Sequence, residues 1–242
     1  HELAQTIIDR VEHRYEKEYE PCFEREYKKG VKTKITGSSE RYSNIEQIDM
    51  SKGNWLVLAS INYILEDAEE LCKQRGWYYA KKGRNSLPLK LLKSIQDWEK
   101  FRLGETTLNS KDIKDVYSYL GENVAYGYKT GKTLKEDSYY NHKTCTADHG
   151  LLTDKVWYEA FKKLDGYTEN YIRSMLANNE KITKTPRISM STIHGAKGGE
   201  CDNVLLFQDI SKTAKEQHDR NPDELHRLFY VGTTRARENL HI

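Results

Sequence analysis

The sequence predicts an α/β protein: a parallel sheet with helices on both faces, interrupted by a mainly helical insertion. Two observations carry that class. Continuous apolar runs of strand length, Trp55-Leu56-Val57-Leu58-Ala59 and Asn203-Val204-Leu205-Leu206-Phe207, suit parallel strands covered on both faces. Between the strand-bearing ends, a stretch of about a hundred residues lacks such runs and carries helical spacing instead.

Leu3, Ile7, Ile8, Val11 and Tyr15 recur at helical intervals, so the first segment predicts an amphipathic helix that Pro21 interrupts. Val31 to Ile35 and Asn54 to Ser60 predict strands. Asn62 opens a helix with Ile64, Leu65, Ala68 and Leu71 inward, ending near Gly76. Trp77-Tyr78-Tyr79-Ala80 is the next short strand, completing a strand–helix–strand unit. Helical patterns follow over Leu87 to Phe101, Ile113 to Leu120, Val156 to Leu164 and Tyr171 to Leu176, with a Tyr-, Gly- and Lys-rich stretch from Tyr117 to Tyr140. Strands resume at Ile188 to Ser191, at Asn203 to Phe207 and at Leu240 to Ile242, with a helix over Glu224 to Tyr230. The domain plan is therefore residues 1–83 and 186–242 in one sheet, with residues 84–185 as the insertion.

Composition narrows the function classes. The 242 residues suffice for one α/β core and a smaller appendage. The mean hydropathy is −0.86, and the net charge is only +2. That charge argues against a uniformly basic coat, so nucleic-acid binding would need a local groove of clustered Lys and Arg. No apolar run is long enough to span a membrane. Cys22, Cys72, Cys145 and Cys201 are scattered without CxxC spacing, which predicts a reduced, cytoplasmic protein. His142, Cys145 and His149 have poor spacing for a metal and read as a polar loop. The opening His1-Glu2-Leu3-Ala4 reads as the inside of a helix, so the chain is expected to be a piece of something longer.

Two late segments carry chemistry. Ser191-Thr192-Ile193-His194-Gly195-Ala196-Lys197-Gly198-Gly199-Glu200-Cys201 delivers Thr192 and His194 from a strand into a glycine-rich loop. Missing side chains let a backbone approach a polyanion, and exposed N–H groups bind phosphate oxygens. Leu228-Phe229-Tyr230-Val231-Gly232-Thr233-Thr234-Arg235-Ala236-Arg237 ends an apolar helix on fixed cations. Arginine suits phosphate because it stays charged and presents a planar fork. The plainer reading is that glycines make turns, and that Arg235 and Arg237 pair with surface carboxylates.

In order and separation the two segments resemble motifs V and VI of superfamily 1 DNA helicases of the UvrD/Rep/PcrA type. The resemblance implies a RecA-like, P-loop NTPase-type fold: domain 2A in two parts with a 2B-like insertion. It implies ATP and Mg²⁺ as cofactors, held mainly by a preceding RecA-like domain of the same parent chain, and single-stranded or partly duplex DNA as partner. Arg235 would reach the γ-phosphate, Glu200 would contact the ribose, and Gly198 would lie beside the nucleotide. Thr192, His194 and Lys197 would touch the DNA strand. The Ala196-Lys197-Gly198-Gly199-Glu200 form resembles the 3′-to-5′ branch. Ala59 and Ser60 fall where the family has a motif IV aromatic and arginine, and the insertion is shorter than the usual 2B. The P-loop and acidic Mg²⁺ motif are not found in the sequence. Tyr126-Gly127-Tyr128-Lys129-Thr130-Gly131-Lys132-Thr133 imitates a P-loop, but Tyr126 stands at the first required glycine. It reads as a solvated loop, or as a surface that stacks on bases. The alternative to a motor half is a helicase-derived nucleic-acid-binding or scaffold module without hydrolysis. Motifs V and VI are expected together at the carboxyl ends of the strands, where open α/β sheets place ligands.

Overall fold

The computed structural model describes residues 2–12, 31–33, 45–121, 134–196 and 198–242. Tyr15, Pro21, Cys22, the Tyr126–Thr133 stretch and Lys197 lie outside the described residues. The chain divides into two compact units, one of His1–Ser86 with Pro186–Ile242, the other of Leu87–Thr185.

The first unit is built on one sheet. Its strands are β1 (Val31–Thr33), β2 (Trp55–Ala59), β3 (Tyr79–Lys81), β4 (Arg84–Asn85), β7 (Ile188–Thr192), β8 (Cys201–Leu206) and β9 (Ala236–His241). They lie in the order β1-β9-β8-β2-β7-β3-β4. Every neighbouring pair is parallel except β3 with β4. β2 sits centrally and all five of its residues are buried, as its unbroken apolar run requires. Its side chains alternate between faces. Leu56 and Leu58 join Val204 and Leu206 in a cluster that α9 (Pro222–Thr233), which follows α8 (Lys212–His218), covers with Leu228, Phe229 and Val231. Trp55, Val57 and Ala59 face the other way, in register with Ile188, Met190 and Thr192. On that face a 3₁₀ turn (Asn62–Leu65) leads into α2 (Glu66–Arg75), which ends at Gly76 with φ 65°.

Several sequence expectations shift by a few residues for identifiable reasons. Helix α1 (Glu2–Ile8) stops before Val11, because the N–H groups of Arg10 and Val11 tighten to i−3 carbonyls. β3 starts at Tyr79 rather than Trp77, whose N–H instead donates to Cys72 O across the Gly76 cap. β9 begins four residues before Leu240, its exposed Arg237 and Glu238 having masked the strand pattern.

The second unit is mainly helical: α3 (Leu89–Arg102), α4 (Ser110–Tyr117), α5 (His142–Asp148), α6 (Trp157–Ala160) and α7 (Gly166–Ala177). Asn109, Asn141 and Asp165 cap α4, α5 and α7 by accepting N–H groups three residues on. Trp98 is fully buried and donates through Nε1 to Lys155 O (3.0 Å). The segment expected to be helical from Val156 to Leu164 holds a helix over Trp157–Ala160 alone. Phe161 turns inward to stack on Tyr119 (ring centroids 5.7 Å apart), and the Lys163 N–H donates to Tyr119 O. The His142/Cys145/His149 region, expected as a polar loop, is helix α5 with Cys145 buried. β5 (Leu108–Asn109) and β6 (Tyr139–Tyr140), two residues each, form a small antiparallel pair that the sequence pattern did not signal.

Candidate functional site

The first chemical segment is a crossover. β7 and β8 are parallel and flank β2, so residues 193–200 must return the chain from the carboxyl end of one strand to the amino end of the other. They do so on the α9 face of the sheet, where Ile193 and Ala196 pack into the Leu56/Leu58 cluster. The Ile193 N–H donates to Ala59 O (2.9 Å), pinning the loop to the carboxyl end of β2.

Thr192 organises the turn. Its carbonyl accepts the Ala196 N–H (3.0 Å), and its Oγ1 accepts the Gly195 N–H (3.2 Å). Gly195 suits this packing, since an added Cβ would stand 2.6 Å from Ser191 Oγ and that hydroxyl would have to move. His194 is exposed at the turn. Gly198, with φ 86°, bends the chain toward β8.

The second chemical segment meets the far end of this loop. The Cys201 N–H donates to Arg235 O (3.0 Å), so Arg235 stands where β8 and β9 begin. Its side chain folds back over the last turn of α9, Nε donating to Val231 O (3.0 Å), and Nη1 reaches Gly199 O (3.4 Å). Carbonyls at a helix C-terminus favour a cation. Nη2 has no acceptor among the described residues, so one edge of the fork can take an anion. Thr233 and Thr234 hydroxyls donate to Tyr230 O and Val231 O and hold the same turn.

Glu200 and Arg237 form an exposed pair (3.4 Å), with Asp202 3.7 Å from Arg237. The plainer reading therefore describes Arg237, which meets carboxylates, whereas Arg235 bonds carbonyls alone among the described residues. Burial pushes the nearby Cys201 thiol above its usual pKa.

The expectation that both segments gather at the carboxyl strand ends needs correction. Thr192 and His194 do lie at that end of β7, but Glu200 and Arg235 lie at the amino end of β8 and β9. The same geometry corrects the part assigned to positions 59 and 60. Ala59 is fully buried at the carboxyl end of β2, and Ser60 Oγ donates to Asp209 O (2.8 Å). Phe207 is level with that end, and Cys201 lies six residues back along β8. At the rise of a strand this is about 20 Å, so no side chain at 59 or 60 could share a phosphate with Arg235.

Gly232 was not singled out by sequence. A Cβ there would lie 3.0 Å from Leu206 Cδ1 and 3.5 Å from Ile193 Cδ1, so its bareness lets α9 seat on β8 and on the crossover. The only sequence signal for it was a glycine inside an apolar helix pattern.

Comparison with known proteins bears on the same residues. Residues 157–242 match the UvrD-like helicase C-terminal domain family, a span that includes the crossover, α9 and β9. The chain is 25% identical over 246 residues to a probable DNA helicase II homolog of Rickettsia conorii (strain ATCC VR-613 / Malish 7), covering 86% of this chain and 36% of that protein. It thus spans little more than a third of that relative's length. The two matches support a UvrD-type superfamily 1 helicase C-terminal region.

Proposed function

We infer that this region is the C-terminal motor half of an ATP-dependent DNA helicase or translocase, working 3′ to 5′. The His1–Ser86 and Pro186–Ile242 unit is read as domain 2A, and Leu87–Thr185 as a shortened 2B-like insertion. ATP and Mg²⁺ are held mainly by the preceding RecA-like domain of the parent. Arg235 crosses the cleft to the γ-phosphate, with Gly198 beside the nucleotide and Glu200 on its ribose. Thr192, His194 and Lys197 take the single-strand backbone.

The observation that supports this reading most is the crossover itself. One eight-residue segment, 193–200, joins the turn bearing His194 at one end of the strands to Glu200 and the Arg235 contact at the other. A shift of the nucleotide end is transmitted to the strand-gripping end through a short, packed element, which is what coupling hydrolysis to movement requires. Nη2 of Arg235, without an acceptor among the described residues, supplies the anion-binding edge.

The test is DNA-stimulated ATP turnover and strand unwinding by the intact parent, beside the 242-residue chain alone. The parent is expected to do both, and the isolated chain neither. A parent that binds single strands without turning over ATP would establish the scaffold alternative.

A further inference from the structure

The β3–β4 hairpin at the sheet edge carries charge that the proposed motor contacts do not use. Lys73, Lys81, Lys82 and Arg84 line a cleft of about 690 Å³ in which Glu69 is the one carboxylate. Glu69 is already occupied, pairing with Lys81 and accepting the Tyr79 hydroxyl (3.2 Å). Lys82 and Arg84 are exposed, and neither has an ion-pair partner among the described residues. The turn between the strands has Lys82 at φ 52° and Gly83 at φ 73°. Asparagine or glycine is the economical residue at such a first position, so a lysine held there bears a conformational cost.

The cleft also lies near the proposed strand-contacting residues. Lys81 is in register with Met190, and the Lys82 N–H donates to Met190 O (3.0 Å). Thr192 follows two residues along β7, at the same end of the sheet and on the same face as Lys81. Adjacent strands and a two-residue advance separate Lys81 from Thr192 by about 8 Å of backbone.

We propose that this cleft is a second contact on the same single-stranded polynucleotide, gripping its phosphodiester backbone beyond Thr192 and His194; it rests on the motor reading above. Lys82 and Arg84 take phosphates, and release of condensed counterions supplies the affinity.

The experiment is a fluorescence anisotropy titration of the 242-residue chain with a labelled oligothymidylate of about 15 nucleotides, repeated over a salt series. The variants are Lys82→Asn with Arg84→Gln, and separately His194→Ala. Asn relaxes the left-handed position, so the unfolding midpoint of the double variant should not fall. Loss of two phosphate contacts should flatten the slope of log K against log salt by about 1.4, and weaken binding several-fold at low salt. His194→Ala should weaken binding with little change of slope. A double variant with unaltered affinity and slope, beside a weakened His194→Ala, overturns the cleft and spares the motor reading. A wild-type chain that binds no single strand at any salt overturns the cleft, while the motor reading is decided by turnover and unwinding of the intact parent.

Discussion

Gly232 of α9 rests against Ile193 of the crossover, with 3.5 Å between the Ile193 Cδ1 and the place a Cβ would occupy. Leu206 closes the same contact at 3.0 Å from the buried floor of the cluster. The two chemical segments are therefore joined by packing as well as by the Arg235–Gly199 hydrogen bond.

Substitution at this contact should be costly in proportion to size. Gly232→Ala gains about 1 kcal/mol of helix propensity, which offsets the few tenths of an ångström that Leu206 must yield. Gly232→Val has no such balance, because a branched side chain meets both Leu206 and Ile193. It should cost about 1–3 kcal/mol in urea unfolding. A valine variant as stable as the parent would show that α9 does not seat as closely as the packing requires.

Gly195 gives a second steric test, and a reversible one. A methyl there meets Ser191 Oγ at 2.6 Å and Thr192 Oγ1 at 3.2 Å. Ser191→Ala removes the first obstacle and should recover much of the stability that Gly195→Ala loses. A double-mutant cycle measured by thermal unfolding should show coupling of about 0.5 kcal/mol or more. Strict additivity would mean that the turn has another arrangement.

The sheet was largely legible because β2 is an unbroken apolar run, β8 ends in one, and α2 stops on the Gly76 cap. The edges were not. β4 consists of Arg84 and Asn85, and most of β9 lies in a polar stretch whose pairing is fixed by neighbours rather than by its own pattern. Helix α5 escaped notice because His142, Lys143 and Thr144 give it a polar first turn, leaving Cys145 as its buried anchor. At the candidate site, residue types were readable but placement was not. That Thr192 and Arg235 stand at opposite strand ends follows from β7 and β9 running parallel, Thr192 closing the one and Arg235 preceding the other.

The helical unit should weaken at alkaline pH. Burial pushes the Cys145 thiol up to about 11, and it raises the Tyr117 phenol as well. Each group folds in its neutral form. The unfolded chain therefore releases protons first, and stability present below about pH 9 is lost as pH rises toward 11. Cys145→Ala should flatten that part of a stability-against-pH curve, leaving the Tyr117 contribution. An unchanged slope would mean that the thiol is not held away from water.

Arg235 bears the sharpest prediction. Its Nε and Nη1 hydrogen bonds to Val231 and Gly199 carbonyls hold the guanidinium in place while leaving Nη2 for an anion. A cation supplied across a cleft to a transferring phosphoryl group is worth about 10³–10⁵ in turnover. Positions 59 and 60 lie a strand length away and cannot compensate. Arg235→Ala in the intact parent should therefore lower kcat by about 10³ or more, with a much smaller change in nucleotide affinity. Arg235→Lys should restore little, because a point charge cannot reproduce the fork that bonds two carbonyls and an anion together. The alanine variant also loses a helix-end hydrogen bond, a stability cost of about 1 kcal/mol that unfolding of the 242-residue chain reads separately. If the lowered midpoint appears and turnover stays near normal, Arg235 is a cap on α9, and the phosphate is met by another residue.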